Sequence, residues 1–367
     1  MAESAVDGGT TQPTWAGWAW GQWLVTALFA AFLVYLAGNL TTPSALLHRL
    51  AHPQWGWAVV ALAAQAVSFG LSGGLYKYSF RAVGVSGRAR RLVGVILASI
   101  FVKTVVPLAG AASMTVFIDD AASRGESGAR AAAGTVVATA IDLSVGAPLV
   151  AVGMLALAGQ GHLATYDVVG TVLFFGFIAV LIVGLFASGR YPSIMESILG
   201  IARAVLNRVG RLARRPDLVS EAWVIRNAGQ FVAAAADVPG RRRDVARSGA
   251  FSVLLHVVNI GVVYALFLAL GHTPSPGVVL AGLGAATVFF VVAIVPDGIG
   301  AVEGAMALTF VSLGVDPATA ILVTLGYRIL TVWIPVVLGF FVARQLRLFG
   351  GRGVLAGILP ERPPATA

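Results

Sequence analysis

The chain has 367 residues, of which 58% are hydrophobic and only 11% charged, and its mean hydropathy is +0.87. That balance lies outside the soluble norm and inside the class of polytopic membrane proteins, which excludes a water-soluble enzyme or binding domain. The net charge of +9 does not mark a nucleic-acid partner, because the basic residues cluster in loops between apolar spans, as expected for segments that face a cytoplasm and anionic headgroups. With no cysteine, disulfides, thiolate nucleophiles and thiolate metal sites are excluded. The five histidines are scattered without ligand spacing, so neither a metal nor a cofactor is expected, and no catalytic residue is assigned.

Residues 1–16 hold Glu3 and Asp7 but no Lys or Arg, which fits a tail and not a signal peptide. A first span is expected from about Trp18 to Gly38, entered through Trp15, Trp18, Trp20 and Trp23 as an interfacial belt. A second runs from about Trp55 to Phe80, where Ser68, Gly70, Ser72, Gly73 and Gly74 permit close helix packing. A basic loop with Arg81, Arg88, Arg90 and Arg91 follows. Leu92 to Ile118 is apolar but interrupted by Lys103, Pro107 and Gly110. Two further spans are expected, Ala131–Ala158 containing Asp142 and Val168–Ala187.

Residues 188–248 form a basic, amphipathic cytoplasmic segment with eleven arginines. Ile194, Ile198, Ile201, Val205, Val209 and Leu212 recur at spacings of three and four, the stripe of a helix lying on an anionic membrane surface or capping the bundle. A second helix is expected around Glu221–Val238. Beyond it come a span from about Ser252 to Leu270 with His256 and Asn259, an interrupted segment from Pro276 to Gly314, and a last span from about Ala318 to Arg344. The tail, 346–367, reads as disordered.

The two basic loops decide the topology. Three full crossings between them would place them on opposite sides of the membrane, against the positive-inside rule. If 92–118 enters and returns on one side, 22 of the 25 Lys and Arg residues face the cytoplasm, as do both termini. A kinked single span is the competing reading. The same device recurs: Val106-Pro107 and Val295-Pro296 lie 189 residues apart, as do Gly125 and Gly314, and 104–142 aligned with 293–331 gives 8 identities in 39 positions. The shared order is the better evidence: breaker, short helix, glycine, then a span with a buried ionisable group. The expected fold is therefore an all-α polytopic bundle of two inverted repeats, 17–187 and 249–345, with re-entrant hairpins at about 92–118 and 277–314. In such architectures broken helices meet near the midplane, with the site at their interface.

The second-half pattern Pro296-x-Gly298-x-Gly300-x-x-Glu303-Gly304, then Gly314-Val315-x-Pro317-Ala318-x-Ala320, then Tyr327-Arg328, resembles the flippase-like transmembrane family. That family includes the membrane domain of lysylphosphatidylglycerol synthase and stand-alone relatives linked to glycosyltransfer. The first half departs from the pattern: Gly110, Ala111 and Ala112 stand where the family tends to have a glycine, a polar residue and an Arg, and Thr139 stands where it tends to have an Arg before Asp142. The resemblance implies movement between leaflets of a lipid with an anionic or sugar-bearing headgroup, in a cell (inner or plasma) membrane, by alternating access.

Charges at bilayer depth are costly unless paired or hydrated, so they are the functional suspects. The expected substrate-binding set is Lys103, Pro107, Gly110, Ser113, Asp142, Pro296, Asp297, Gly298, Gly300, Glu303, Tyr327 and Arg328. Asp142 and Arg328 either bridge the halves or contact substrate, or Arg328 simply caps the hairpin turn. Glu303 and Asp297 either accept hydrogen bonds from backbone donors freed by the break or carry a proton. Lys103 either holds a lipid phosphate, helped by helix N-termini after Pro107 and Pro296, or snorkels to the inner surface. His256 reads as a hydrogen bonder in helix packing more than as a proton relay. Two other functions stand beside lipid transport: a scaffold for a glycosyltransferase or another lipid-modifying partner enzyme, docked through the Arg-rich segment, and a membrane enzyme using Asp119-Asp120.

Overall fold

A computed structural model describes residues 53–105, 109–161, 163–190, isolated positions between 193 and 207, 221–292 and 296–345. The expected first span, both tails, the apolar stripe except Ile201, and Pro107 lie outside the described residues. Every regular element among the described residues is helical. In chain order they are α1 (Trp55–Ala82), α2 (Ala89–Val105), α3 (Ala109–Ala122), α4 (Gly128–Gly159), α5 (Thr165–Arg190), α6 (Glu221–Asp237), α7 (Arg242–Ala269), α8 (Pro276–Val292), α9 (Ala301–Ser312), α10 (Pro317–Arg328) and α11 (Ile334–Gln345). A 3-10 turn, Val238–Arg241, joins α6 to α7, another (Pro296–Gly298) precedes α9, and a π-turn, Ile329–Trp333, joins α10 to α11.

Five stretches among the described residues are long and apolar enough to cross a bilayer: α1, α4, 165–187 of α5, 225–269 and 317–345. Their outward faces confirm the solvent they are built for. Val172, Val180 and Val183 on α5 and Val337, Leu338 and Phe341 on α11 are more than two-fifths exposed, and a continuous apolar surface of this kind is stable only against lipid. α7 begins at Arg242, ten residues before the expected Ser252. Its first two turns carry Arg242, Arg243 and Arg247 on a half- to fully exposed face, where long basic side chains reach water while their stems lie on the helix.

The order long helix, two shorter helices, long helix occurs twice. Corresponding helices start at Trp55 and Arg242, Ala89 and Pro276, Ala109 and Ala301, and Gly128 and Pro317, separations of 187, 187, 192 and 189 residues. In each set the two shorter helices pack on each other, and α1 packs along α7. Ser68 Oγ donates to Asn259 Oδ1 at 3.0 Å, and the Ser79 and Ser248 hydroxyls lie 2.7 Å apart along that seam. The crossings are reciprocal as well: α2 packs on α11, and α8 on α4. Each contact is closed by a glycine. A Cβ on Gly339 would land on the Leu97 carbonyl oxygen, and one on Gly153 would lie 2.7 Å from that of Leu280. Such approach lets the backbones touch, and in lipid, where the hydrophobic effect does not drive helices together, that packing supplies the adhesion.

Among the described residues, three large apolar clusters and two small ones fill the body. One surrounds α2–α3 with Phe80, Leu92, Val95, Phe117 and Val137, and a second surrounds α8–α9 with Phe267, Leu283, Met306 and Phe310. The third, with Val150, Leu157, Phe174 and Val288, joins α4 and α5 to α8.

Candidate functional site

Where α8 ends, the chain makes its sharpest departure from helix. Asp297 has φ +53°, Gly298 +66° and Gly300 +87°, so three residues within four occupy the left-handed half of φ space. Gly300 combines that φ with ψ −45°, a conformation that a Cβ makes costly. Backbone groups freed this way need partners when water is absent. Two side chains supply them. Glu303, on the first turn of α9, accepts the Gly300 N–H at 2.7 Å through Oε2, the half of a capping box that a carboxylate at this position makes. Arg328, at the end of α10, donates from Nη2 to the Asp297 carbonyl oxygen at 2.9 Å and from Nε to Glu303 Oε1 at 2.6 Å. Arg328 and Glu303 are only 5% and 4% exposed. The two-donor geometry suits a guanidinium and no other side chain.

The second ion pair crosses from the other hairpin. Lys103 Nζ, in the last turn of α2, lies 2.6 Å from Asp297 Oδ1 and 4.8 Å from the centre of the Phe290 ring. Thr104 Oγ1 reaches Asp297 Oδ2 at 3.4 Å. Lys103 therefore turns inward to the broken turn of the second hairpin and does not snorkel. Its side chain keeps 23% exposure, against 2% for Asp297, so the cation, not the carboxylate, is the half of the pair that a visitor meets.

These groups line one cavity of about 210 Å³. Its wall draws on α2 (Lys103), α4 (Asp142, Gly146), α7 (His256), α8 (Thr287, Phe290), the broken turn (Asp297), α9 (Val302), α10 (Tyr327, Arg328) and the π-turn (Thr331). Asp142 and Arg328 share this cavity without forming an ion pair: Arg328 is taken up by Glu303 and Asp297, and Asp142 Oδ1 accepts from Ser252 Oγ at 2.7 Å and lies 3.4 Å from His256 Nε2. The α9 N-terminus expected to offer positive dipole after Pro296 is already occupied by Glu303. Gly110 and Ser113 lie on the first turns of α3, Pro296 opens the broken turn with Gly298 and Gly300, and Ser113, Gly298 and Gly300 are not among the residues lining the cavity.

Sequence reasoning missed Thr287, Phe290 and Thr331, and it ranked His256 as a packing hydrogen bonder ahead of a proton relay. One signal was available for Thr287 and Phe290: they sit three positions apart, on one face of α8, in the turns that lead into the break. Asp120, one half of the pair considered as catalytic, is instead clamped by Arg91 at 2.6 Å and Arg124 at 3.0 Å, so it ties the ends of α2 and α3 together. No group of three His, Asp or Glu residues placed to hold a metal occurs among the described residues.

Comparison with known proteins agrees with this architecture. A UPF0104 membrane protein of Pyrococcus horikoshii is 31% identical over 99 residues, which cover 27% of this chain and 30% of that protein. The aligned stretch thus spans under a third of the relative's length. Residues 22–339 match the lysylphosphatidylglycerol synthase TM region, which is most of the chain and all of the cavity wall. The chain is a multi-pass membrane protein, and it belongs to the family of the lysylphosphatidylglycerol synthase transmembrane region.

Proposed function

We propose that the protein carries a lipid with an anionic headgroup between the leaflets of a cell membrane, with Lys103 as its phosphate contact. The observation that supports this most directly is the division of labour between the two ion pairs. Arg328 and Glu303 are sealed and satisfy the broken backbone, whereas Lys103 is partly open to the cavity and held by a carboxylate that a phosphate can replace. A phosphate offers the ammonium the same charge-assisted hydrogen bonds as Asp297 does. Lys103 and Asp297 also come from different hairpins, so exchanging one partner for the other loosens the contact between them.

The recurrence of helix order and the reciprocal crossings of α2 on α11 and α8 on α4 support an inverted-repeat reading with both hairpins re-entrant. At 17 residues, α2 and α8 are each about 25 Å long, short of a roughly 30 Å hydrocarbon core. Rocking of one half against the other around the cavity then gives alternating access. The experiment is reconstitution of the purified protein in liposomes containing a fluorescent phosphatidylglycerol, with bleaching of the outer leaflet. Accelerated loss of inner-leaflet signal, reduced at least tenfold in Lys103→Gln at unchanged melting temperature, is the expected result. Wild-type protein that leaves the lipid where it was inserted refutes transport and favours the scaffold.

A further inference from the structure

The fixed charges of the cavity do not balance. Lys103 is answered by Asp297 and Arg328 by Glu303, which leaves Asp142. Among the described residues no Lys or Arg stands within ion-pair distance of it. Its partners are the Ser252 hydroxyl and His256, whose Nε2 also lies 3.2 Å from the Asp142 carbonyl oxygen. With a neutral imidazole the site carries one net negative charge, and an anionic headgroup is repelled. With an imidazolium it carries none.

Resting on the transport reading above, we propose that Asp142 and His256 form a coupling-proton site, at which one proton taken up on the imidazole accompanies each anionic lipid through the cavity. Three features of the geometry carry this. Asp142 stands on α4 and His256 on α7, one in each half, so the charge state of the imidazole bears on how the halves hold together. Their side chains are 34% and 21% exposed, so water reaches them, unlike the sealed Arg328–Glu303 pair. The ring is also seated against bare backbone: a Cβ on Gly146 would lie 3.0 Å from His256 Cε1.

The other groups facing the pair do not compete for the role. They are Tyr76 from α1, Tyr327 and Arg328 from α10, Lys103 from α2 and Asp297 from the broken turn, while α8 and the π-turn contribute only Thr287 and Thr331. Tyrosine, lysine and arginine keep one charge state through the physiological range, and Asp297 is held by Lys103. An imidazole changes its charge there, and the proton belongs to the Asp142–His256 pair jointly.

The proton enters from the compartment to which the cavity is open and leaves into the other with the lipid; no covalent bond changes. The gain is electrical. A lone anion moved against 100 mV faces about a fiftyfold adverse ratio, and a proton travelling with it cancels the charge.

The test uses the full chain in liposomes with fluorescent phosphatidylglycerol, an internal pH dye and an imposed gradient of one pH unit. Wild type is expected to accumulate probe on the alkaline side, up to about tenfold, with acid moving alongside it. His256→Gln keeps a donor for Asp142 but binds no proton near neutrality, and Asp142→Asn keeps an acceptor for Ser252. His256→Gln leaves the cavity one negative charge in excess and is expected to slow lipid movement at least tenfold, whereas Asp142→Asn makes the cavity neutral without a proton and is expected to lose the gradient response in whatever transport it retains. Wild type that moves lipid but ignores the gradient overturns the coupling site alone, as does a variant that keeps the gradient response. Wild type that moves no lipid in any condition overturns transport and this inference together.

Discussion

Replacing Glu303 with alanine removes two interactions at once: the 2.6 Å charge partner of Arg328 and the acceptor of the Gly300 N–H. Both Glu303 and Arg328 are about one-twentieth exposed, so the guanidinium is left charged and unanswered. Breaking a buried ion pair from one side costs about 3–5 kcal/mol, because the surviving ion keeps its desolvation penalty and loses its compensation. The orphaned amide adds roughly 1–2 kcal/mol, though the two losses overlap at one carboxylate. A total near 4 kcal/mol corresponds to a fall of roughly 5–10 °C in the melting temperature of a body this size. Thermal unfolding in lipid nanodiscs, followed by intrinsic tryptophan fluorescence, measures it. The double variant Glu303→Ala/Arg328→Met removes the stranded charge as well and is expected to recover half or more of the loss, despite the unpaired Asp297 carbonyl. If the single variant melts with wild type, or the double variant is worse than the sum of both singles, the pair does not hold the break as described.

Three smaller perturbations follow from other parts of the fold. Gly300→Ala forces a Cβ into φ +87° and is expected to cost about 1–3 kcal/mol, read as a melting shift with no change in headgroup binding. Gly339→Ala drives a methyl into the Leu97 carbonyl and is expected to part α2 from α11, costing about 1–3 kcal/mol and increasing labelling of a cysteine placed at Gly94. Glu126, in the loop after α3, accepts from the Ser86 hydroxyl at 2.5 Å and from its N–H at 3.2 Å, and chiefly the hydroxyl holds its carboxyl below the ordinary 4.5. Because the folded value is the lower one, this latch contributes above pH 4.5 and is lost as pH falls through the folded value. Ser86→Ala is expected to shrink that acid-side loss, an exposed contact worth at most about 1 kcal/mol, in melting curves taken from pH 6 to pH 3.

The described spans and the break after α8 were legible in the sequence because bilayer thickness and backbone hydrogen bonding leave few alternatives. Pro296 with Gly298 and Gly300 announced the broken turn, and Glu303 announced its acceptor role. Partner choice was not legible. Nothing in the chain order says that Lys103 meets Asp297, 194 positions away, or which of its three readings, bridge, substrate contact or cap of the turn, Arg328 follows. That depends on how far α2 and α10 reach into the cavity. The surroundings of His256 were illegible for the same reason: nothing in the span from Ser252 says that α4 brings Asp142 against both Ser252 and His256. The helix that carries this span starts ten residues before its apolar run, at Arg242, because it continues through the arginines ahead of Ser252.

The π-turn after Arg328 fixes a quantity that substitution data would not reveal. The Ile334 N–H bonds to the Ile329 carbonyl, five residues back, so this stretch holds one more residue than an α-helix of the same rise. Dropping any one residue from 329–333 would let the helix close into regular α geometry with the downstream register nearly kept, and Gly339 would stay against the Leu97 carbonyl. If the present chain closed into α geometry with no residue removed, everything downstream would turn by about 100° and Gly339 would leave that contact. The π-turn thus absorbs one residue between Arg328 and Gly339. Across relatives, this junction should tolerate the loss of one residue better than the gain of one.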